Sequence, residues 1–286
     1  MRSVLPSLSS LFVFFGISQA SFAASMTDTQ YIAAMAAMHA NEMPAPTPVA
    51  VEKPAQAVIS SEVVYATVGG KPTTGYLSRP AFAKRPLAAI IVIHEWWGLN
   101  DNIRRTAERL AGEGYETLAV DLYGGQSGTD SDTAKKLAMA VVADPASAKD
   151  NLRQAYAYLH DHEHATKMGV IGWCFGGGWA LQTALLLPDR LDGVVMYYGN
   201  PVTDVAQLAT LRMPLIGFFG EQDQGIPPAI VDGFEKSLKD AKVDAEIHEY
   251  PGAGHAFANS SGEHYQADAA KDSWERTVKF LKVHLH

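Results

Sequence analysis

Short, almost continuously apolar runs alternate with amphipathic stretches along most of the chain, and this alternation limits the folds open to it. Continuous apolar runs of this kind are typical of strands that are covered on both faces of a sheet. The runs are Leu87 to Ile93, Glu116 to Val120, Met168 to Ile171, Leu191 to Tyr198, Leu215 to Phe219 and Ala245 to Tyr250. Between them, apolar residues such as Ile103, Ala107 and Leu110 recur at helical spacing. The pattern predicts an α/β fold with a mostly parallel central sheet and helices on both faces.

Two strand-like segments precede these runs. Glu62 to Val68 and Thr74 to Leu77 are joined through Gly69-Gly70, which predicts an antiparallel pair. With this pair included, residues 60–286 are predicted to form one α/β domain.

The segment from Thr27 to Met43 is rich in helix formers, and prolines follow it. Residues 24–59 are therefore predicted to be a helical extension with a Pro-rich linker. Its side chains include a set that would suit a soft metal ion, namely Met35, Met38, His39 and Met43. A helix that packs Ala and Met against the main body is the simpler interpretation.

The first residues resemble a secretory signal peptide. Arg2 supplies a positive charge, Leu11 to Ile17 is apolar, and Ser21-Phe22-Ala23 offers small residues for cleavage. The apolar run is shorter than the roughly 20 residues that span a bilayer. We therefore expect removal of residues 1–23, a periplasmic or secreted protein, and no membrane span in the mature chain.

The charge balance excludes one class of partner. The 286 residues include 23 Lys and Arg against 31 Asp and Glu, a formal net charge of −8. Nucleic-acid binding depends largely on neutralising phosphates, so an acidic chain is a poor candidate for it. The chain has a single cysteine, Cys174, which leaves no intramolecular disulfide partner in an exported protein.

This cysteine lies in a pattern typical of a catalytic nucleophile. Gly172-Trp173-Cys174-Phe175-Gly176 connects a strand-like run to a helical stretch, as in the nucleophile elbow G-x-S-x-G with sulfur replacing the hydroxyl. Such a turn strains the nucleophile's backbone, and the glycines let neighbouring backbone pass. The following helix N-terminus favours a thiolate. We predict Cys174 as the nucleophile.

A thiol nucleophile needs a base and an acid that orients the base. In folds with this elbow they follow in the order acid, then histidine, each on a loop after a strand. Asp223 in GEQDQGIP and His255 in PGAGHAF fall at these places, and we predict them as the catalytic partners. Glu221 and Asp204 remain alternatives for the acid. His248 lies within a strand run and is a weaker candidate for the base.

The run that ends at Ile93 continues as His94-Glu95-Trp96-Trp97-Gly98. The loop after this strand supplies one oxyanion-hole amide, and the residue after the nucleophile supplies the other. Trp96 and Phe175 are accordingly the predicted donors. The carboxylate of Glu95 would repel a thiolate, so a salt bridge at a strand end is its simplest role.

A second histidine group, His160, His162 and His164, has no further ligand spacing after it. It ends an amphipathic helix, where cations interact favourably with free carbonyl groups. We predict no metal and no cofactor.

Together these motifs resemble the dienelactone hydrolase family of α/β-hydrolases, from about Val63 to the C-terminus. The resemblance rests on HEWWGLND (94–101), DLYGG (121–125), GWCFGG (172–177), YYG (197–199), GEQD (220–223) and GAGHAF (252–257). It implies a triad of Cys174, Asp223 and His255. It also implies that Glu95 matches a glutamate that holds the cysteine as a neutral thiol until substrate displaces it, and then accepts the thiol proton. A neutral thiol also resists oxidation.

The sequence departs from the best-known members where they bind a carboxylate substrate. Those enzymes carry two arginines and a serine at the positions of Gly125, Asn259 and Ala256. Without guanidinium groups, bidentate anion recognition is lost, so dienelactone itself is not the expected substrate. The aromatic residues predicted to contact an uncharged ester or lactone are Trp97, Tyr123, Trp173 and Phe257.

The alternatives to an ester or lactone hydrolase are a non-catalytic exported binding protein and a thioesterase or acyl transferase. The oligomeric state is not predicted.

Overall fold

The computed structural model describes residues 26–44, 52–259 and 262–286. The predicted signal peptide lies outside these ranges, as do residues 45–51 of the predicted linker. Helix α1 (Asp28–Met38) is N-capped by Thr27, whose Oγ1 accepts a hydrogen bond from the Gln30 amide while the Gln30 side chain accepts one from the Thr27 amide. The helix thus forms where the composition predicts one, but it ends at Met38 rather than Met43.

The predicted α/β fold with a mostly parallel sheet is confirmed. An 8-stranded sheet has the order β1-β2-β4-β3-β5-β6-β7-β8. The strands are β1 (Val58–Val68), β2 (Lys71–Pro80), β3 (Ala89–Ile93), β4 (Glu116–Val120), β5 (Met168–Trp173), β6 (Gly193–Tyr197), β7 (Leu215–Gly220) and β8 (Ala245–Tyr250). Only the β1–β2 and β2–β4 pairs are antiparallel. Every residue of β3, β4, β5, β6 and β7 is buried, which explains their continuous apolar runs.

Helices separate the strands along the chain. They are α2 (Asp101–Gly112), α3 (Ser131–Ala143), α4 (Pro145–Ala157), α5 (Phe175–Leu186), α6 (Val205–Leu208), α7 (Pro228–Asp240) and α8 (Ala267–Leu285). A π-helical turn, Tyr158–His162, follows α4. Within the described ranges, no helix combines the length and the apolar character needed to cross a bilayer.

The parallel strands bring four loops to one edge of the sheet. β3 leads to Glu95 and Trp96, β5 to Cys174, β7 to Asp223 and β8 to His255. Because the carboxyl ends of parallel strands meet at the same edge, residues far apart in the chain can form one site there.

Candidate active site

Cys174 lies in a strained turn between β5 and α5. Its backbone dihedrals are φ 55° and ψ −122°, a region that residues other than glycine rarely adopt and that costs on the order of 1–3 kcal/mol. The Cys174 amide donates to the carbonyl oxygen of Tyr197 at 3.0 Å, so the neighbouring strand β6 holds the turn. The strained backbone predicted for the elbow is present.

Glycines on both sides of the turn allow the backbone to pass. A Cβ atom on Gly172 would lie 2.0 Å from the carbonyl oxygen of Gly176. One on Gly176 would lie 2.4 Å from the carbonyl oxygens of Ile93 and His94. These distances are shorter than any van der Waals contact. The turn can therefore close only because Gly172 lacks a side chain, and it can approach the end of β3 only because Gly176 lacks one.

Asp223 and His255 meet in the interior. Asp223 Oδ2 lies 2.6 Å from His255 Nδ1, and both side chains are buried. Asp223 Oδ1 also accepts hydrogen bonds from the amides of Gly225 and Ile226, at 2.8 and 2.9 Å. Burial raises the pKa of Asp223, but His255 and these amides outweigh it and hold the pKa below its ordinary value.

The two alternative acids lie elsewhere. Asp204 accepts hydrogen bonds from the Ala206 and Gln207 amides and caps α6, and Glu221 is exposed at the end of β7. His248 stacks on Phe218 within β8, with ring centroids 5.6 Å apart. Of these candidates, Asp223 is the acid that contacts His255.

The His255 imidazole lies between Asp223 and Cys174. Burial lowers the pKa of His255, yet the charges of Asp223 and Cys174 and hydrogen bonding to them raise it to about 10. With Nδ1 bound to Asp223, the buried Nε2 is the ring nitrogen left to interact with Cys174. This nitrogen is therefore available to exchange a proton with a reacting group.

Glu95 is buried beside this group and is held by an amide. Its Oε2 accepts a hydrogen bond from Asn259 Nδ2 at 2.8 Å, and Asn259 Oδ1 accepts one from Asn102 at 3.0 Å. Burial raises the pKa of Glu95 to about 7, although His255 and Asn102 oppose the shift. Glu95 therefore has an amide partner instead of the salt bridge predicted at this strand end. Its pKa of about 7 lets it exchange a proton near neutral pH.

The two predicted oxyanion donors lie on the loops that follow β5 and β3. Phe175 is the first residue of α5, where backbone amides have no intrahelical acceptor. Trp96 follows Glu95, and its carbonyl oxygen accepts a hydrogen bond from the Tyr123 hydroxyl at 3.0 Å. One cavity is lined by residues that include Cys174, Glu95, Trp96 and Trp97.

The predicted aromatic contacts divide into two groups. Trp97 lines the cavity that contains Cys174, and Tyr123 packs against His94 with ring centroids 4.6 Å apart. Trp173 stacks on Tyr197 at 5.4 Å. Phe257 is fully buried, and its nearest rings are those of Tyr250 and Tyr198, at 5.1 and 5.2 Å. Trp97 and Tyr123 therefore adjoin the loops around Cys174, whereas Trp173 and Phe257 pack against other aromatic rings in the core.

Helix α1 contributes two contacts to the sulfur that were not expected from the sequence. Cys174 Sγ lies 3.4 Å from Met35 Sδ and 3.6 Å from the Tyr31 hydroxyl. The Tyr31 hydroxyl also donates to the carbonyl oxygen of Tyr198 at 3.2 Å. Burial and Cys174 hold the pKa of Tyr31 well above its ordinary value, so it remains a neutral donor. As a result only 2% of Cys174 is exposed.

The sheet, the strained turn and the paired histidine and aspartate define the α/β-hydrolase class. The dienelactone hydrolase family model matches residues 73–285, so the chain belongs to the dienelactone hydrolase family.

Individual relatives agree with this membership. A protein of Saccharolobus solfataricus described as "Putative carboxymethylenebutenolidase" is 30% identical over 261 residues, covering 78% of this chain and 98% of the relative. A Bradyrhizobium protein described as "Probable 2-oxo-3-(5-oxofuran-2-ylidene)propanoate lactonase" is 29% identical, covering 76% and 91%. The crystal structure of a "Putative Dienelactone Hydrolase" from Klebsiella pneumoniae superposes with a TM-score of 0.72 at 29% identity, covering 79% and 99%.

Proposed function

We propose that this member of the family hydrolyses a small, uncharged ester or lactone through an acyl-cysteine intermediate on Cys174. The supporting observation is the arrangement at the carboxyl edge of the sheet. There, a cysteine in a strained turn lies beside a buried histidine that is paired with a buried aspartate at 2.6 Å. A nucleophile, a base and an orienting acid in this relation are the parts that acyl transfer requires.

In the first half of the reaction, the thiol proton lies on His255 Nε2, because the raised pKa of His255 favours the imidazolium, while Asp223 holds Nδ1. Glu95 provides a second proton acceptor in the same cavity. The sulfur attacks the substrate carbonyl carbon, and the amides of Phe175 and Trp96 stabilise the oxyanion. Collapse of the tetrahedral intermediate breaks the ester C–O bond, and the leaving oxygen takes the proton from the imidazolium.

In the second half, water attacks the thioester carbonyl. His255 accepts a proton from this water and the C–S bond breaks, which restores the thiolate and the imidazolium. An ester yields an acid and an alcohol, whereas a lactone yields a single hydroxy acid.

The preference for an uncharged substrate follows from the residues near Glu95. Where the family's best-known members place an arginine, Asn259 donates an amide hydrogen bond to Glu95. Gly125, at the other arginine position, presents only backbone, and its amide donates to Asp121. Neither residue offers the paired donors that bind a substrate carboxylate. The description of the Bradyrhizobium relative supports the lactone class, whereas the lactone it names is a carboxylate. The expected absence of charge therefore rests on Asn259 and Gly125 alone.

The test is a panel of short-chain aryl esters and simple lactones assayed with wild-type protein and Cys174→Ala. We expect hydrolysis by the wild type and a loss on the order of 10³-fold or more in the variant, because removing the nucleophile leaves only binding and oxyanion stabilisation. Undiminished hydrolysis by folded Cys174→Ala would exclude the mechanism. No turnover of any ester or lactone would favour a binding protein. Faster product formation with added amines or thiols would favour an acyl transferase.

Export of the protein through residues 1–23 remains part of this proposal. Fractionation of cells that express the full chain, followed by intact-mass analysis of the product, would test both the compartment and the predicted cleavage after Ala23.

A further inference from the structure

Three side chains with metal-ligating atoms converge near the end of α1. His39 Nδ1 lies 2.8 Å from Glu42 Oε2, and His264 Nε2 lies 2.9 Å from Glu42 Oε1. The three ligand atoms all lie within 4.8 Å of one another. Across the described ranges, no other set of three His, Cys, Asp or Glu residues meets this distance.

The donor set has a definite chemical preference. Two imidazole nitrogens and one carboxylate oxygen are ligands for zinc and for neighbouring divalent transition metals, whereas magnesium and calcium prefer oxygen alone. Metal–ligand bonds of about 2.0–2.2 Å would bring all three atoms around one ion and leave a fourth position open. We propose that His39, Glu42 and His264 bind a divalent transition-metal ion of the zinc class.

The surroundings of His39 hold its ring in place. It is the C-cap of α1 and only 3% exposed. Its ring packs against those of Trp96 and Trp97, with centroids 5.3 and 6.3 Å away. Its carbonyl oxygen accepts a hydrogen bond from the Ser131 hydroxyl. A ligand that is fixed before the ion arrives loses little entropy on binding it.

The ion would join two distant parts of the chain. Glu42 and His264 are 222 residues apart. His264 belongs to the segment between β8 and α8, which also carries His255. His39 and Glu42 follow directly after α1, whose Met35 and Tyr31 contact the Cys174 sulfur. Metal binding therefore fastens α1 over the nucleophile.

Metal affinity provides the first test. Wild-type protein, Glu42→Gln and His264→Asn would be dialysed against Zn²⁺ or Co²⁺, and the bound ion measured by atomic emission. His160→Asn is the matched control, because His160 Nδ1 also lies 2.7 Å from a carboxylate, Asp161, and its side chain is 46% exposed against 42% for His264.

We expect one bound ion per chain in wild type and His160→Asn, and binding at least about tenfold weaker in the other two variants. Equal binding by the wild type and both ligand variants, or no binding by the wild type, would overturn the site. Circular dichroism of each variant would establish that it is folded.

The fastening of α1 is tested by the rate at which iodoacetamide alkylates Cys174. Zn²⁺ should slow alkylation in wild type and His160→Asn but not in Glu42→Gln or His264→Asn. Equal slowing in the two ligand variants would place the ion on Cys174 itself and contradict the proposal, as would no slowing in the wild type. Neither measurement needs turnover, so its failure is distinct from failure of the proposed hydrolysis.

Discussion

The carboxyl edge of the sheet and helix α1 both position Cys174, but they do so by different means. The sheet side acts through backbone: a turn with φ 55°, an amide bonded to Tyr197, and glycines with no room for a Cβ atom. Helix α1 acts through side chains alone, with Met35 and Tyr31 reaching the sulfur. Backbone constraints are part of the fold, whereas side-chain contacts from a peripheral helix can separate without unfolding the sheet.

The sheet edge and helix α1 therefore have different roles toward Cys174. The position of Cys174 depends on the rigid edge of the sheet, and access to its sulfur depends on the docked helix. Disturbing the first region should abolish activity, while disturbing the second should expose the sulfur.

The largest effect is expected from Gly176→Ala. The new Cβ would lie 2.4 Å from two backbone carbonyl oxygens, and backbone at this turn cannot move without breaking β3 or β5. We expect the free energy of unfolding to fall by more than about 4 kcal/mol and hydrolysis to disappear. Urea unfolding and an ester assay measure both.

Gly178→Ala in the same helix is the matched control, because its nearest neighbours would lie at 3.4 Å. It should retain stability and activity. Similar losses of stability and activity in the two variants would show that the close backbone approach at Gly176 is not what makes its substitution destabilising.

Next in size is Asp223→Asn. The asparagine side chain keeps the shape of the aspartate but lacks the negative charge that orients the His255 imidazole. We therefore expect kcat to fall by about 10²-fold or more. Glu221→Gln, at an exposed carboxylate two residues away, should leave kcat unchanged. A large loss in Glu221→Gln with none in Asp223→Asn would reassign the acid.

Glu95→Gln should alter how stability depends on pH. The pKa of Glu95 is raised to about 7 in the folded chain from 4.5, so between these values only the folded state holds the proton. Stability from this group is complete below the lower pKa and is lost as pH rises through the higher one. Between about pH 5 and 8, wild type should lose about 2–3 kcal/mol relative to Glu95→Gln. Parallel stability curves from urea unfolding at each pH would contradict this.

The smallest effect concerns the helix. Met35→Ala removes a fully buried side chain that contacts the sulfur and weakens the docking of α1. When about 2 kcal/mol or more of packing free energy is lost, α1 separates from the domain more often. The rate of Cys174 alkylation should therefore rise by about tenfold or more. Thr29→Ala, on the exposed side of the same helix, should leave the rate unchanged. An unchanged rate in Met35→Ala would mean that α1 does not limit access.

The sequence predicts the sheet edge well because local patterns encode it. Apolar runs located the buried strands, and Gly172-x-Cys174-x-Gly176 between a strand and a helix located the strained turn. The chain order of acid and histidine then indicated Asp223 and His255, which the fold brings to 2.6 Å.

The contacts made by α1 have no such local signal. Helix-forming residues predict that a helix exists, but not which surface it covers. The meeting of Glu42 with His264 and of Glu95 with Asn259 depends on where loops lie after the domain has packed. Pairs that are this distant in sequence leave no periodic pattern in the chain.

The central claim is that Cys174 forms a covalent acyl intermediate. The direct measurement is to mix the protein with an activated aryl ester, quench within the first turnover, and locate any adduct by peptide mass spectrometry. The account predicts one acyl group on the Cys174 peptide of the wild type and none in Cys174→Ala. Turnover with no adduct on Cys174, or an adduct on another residue that persists in Cys174→Ala, would contradict it.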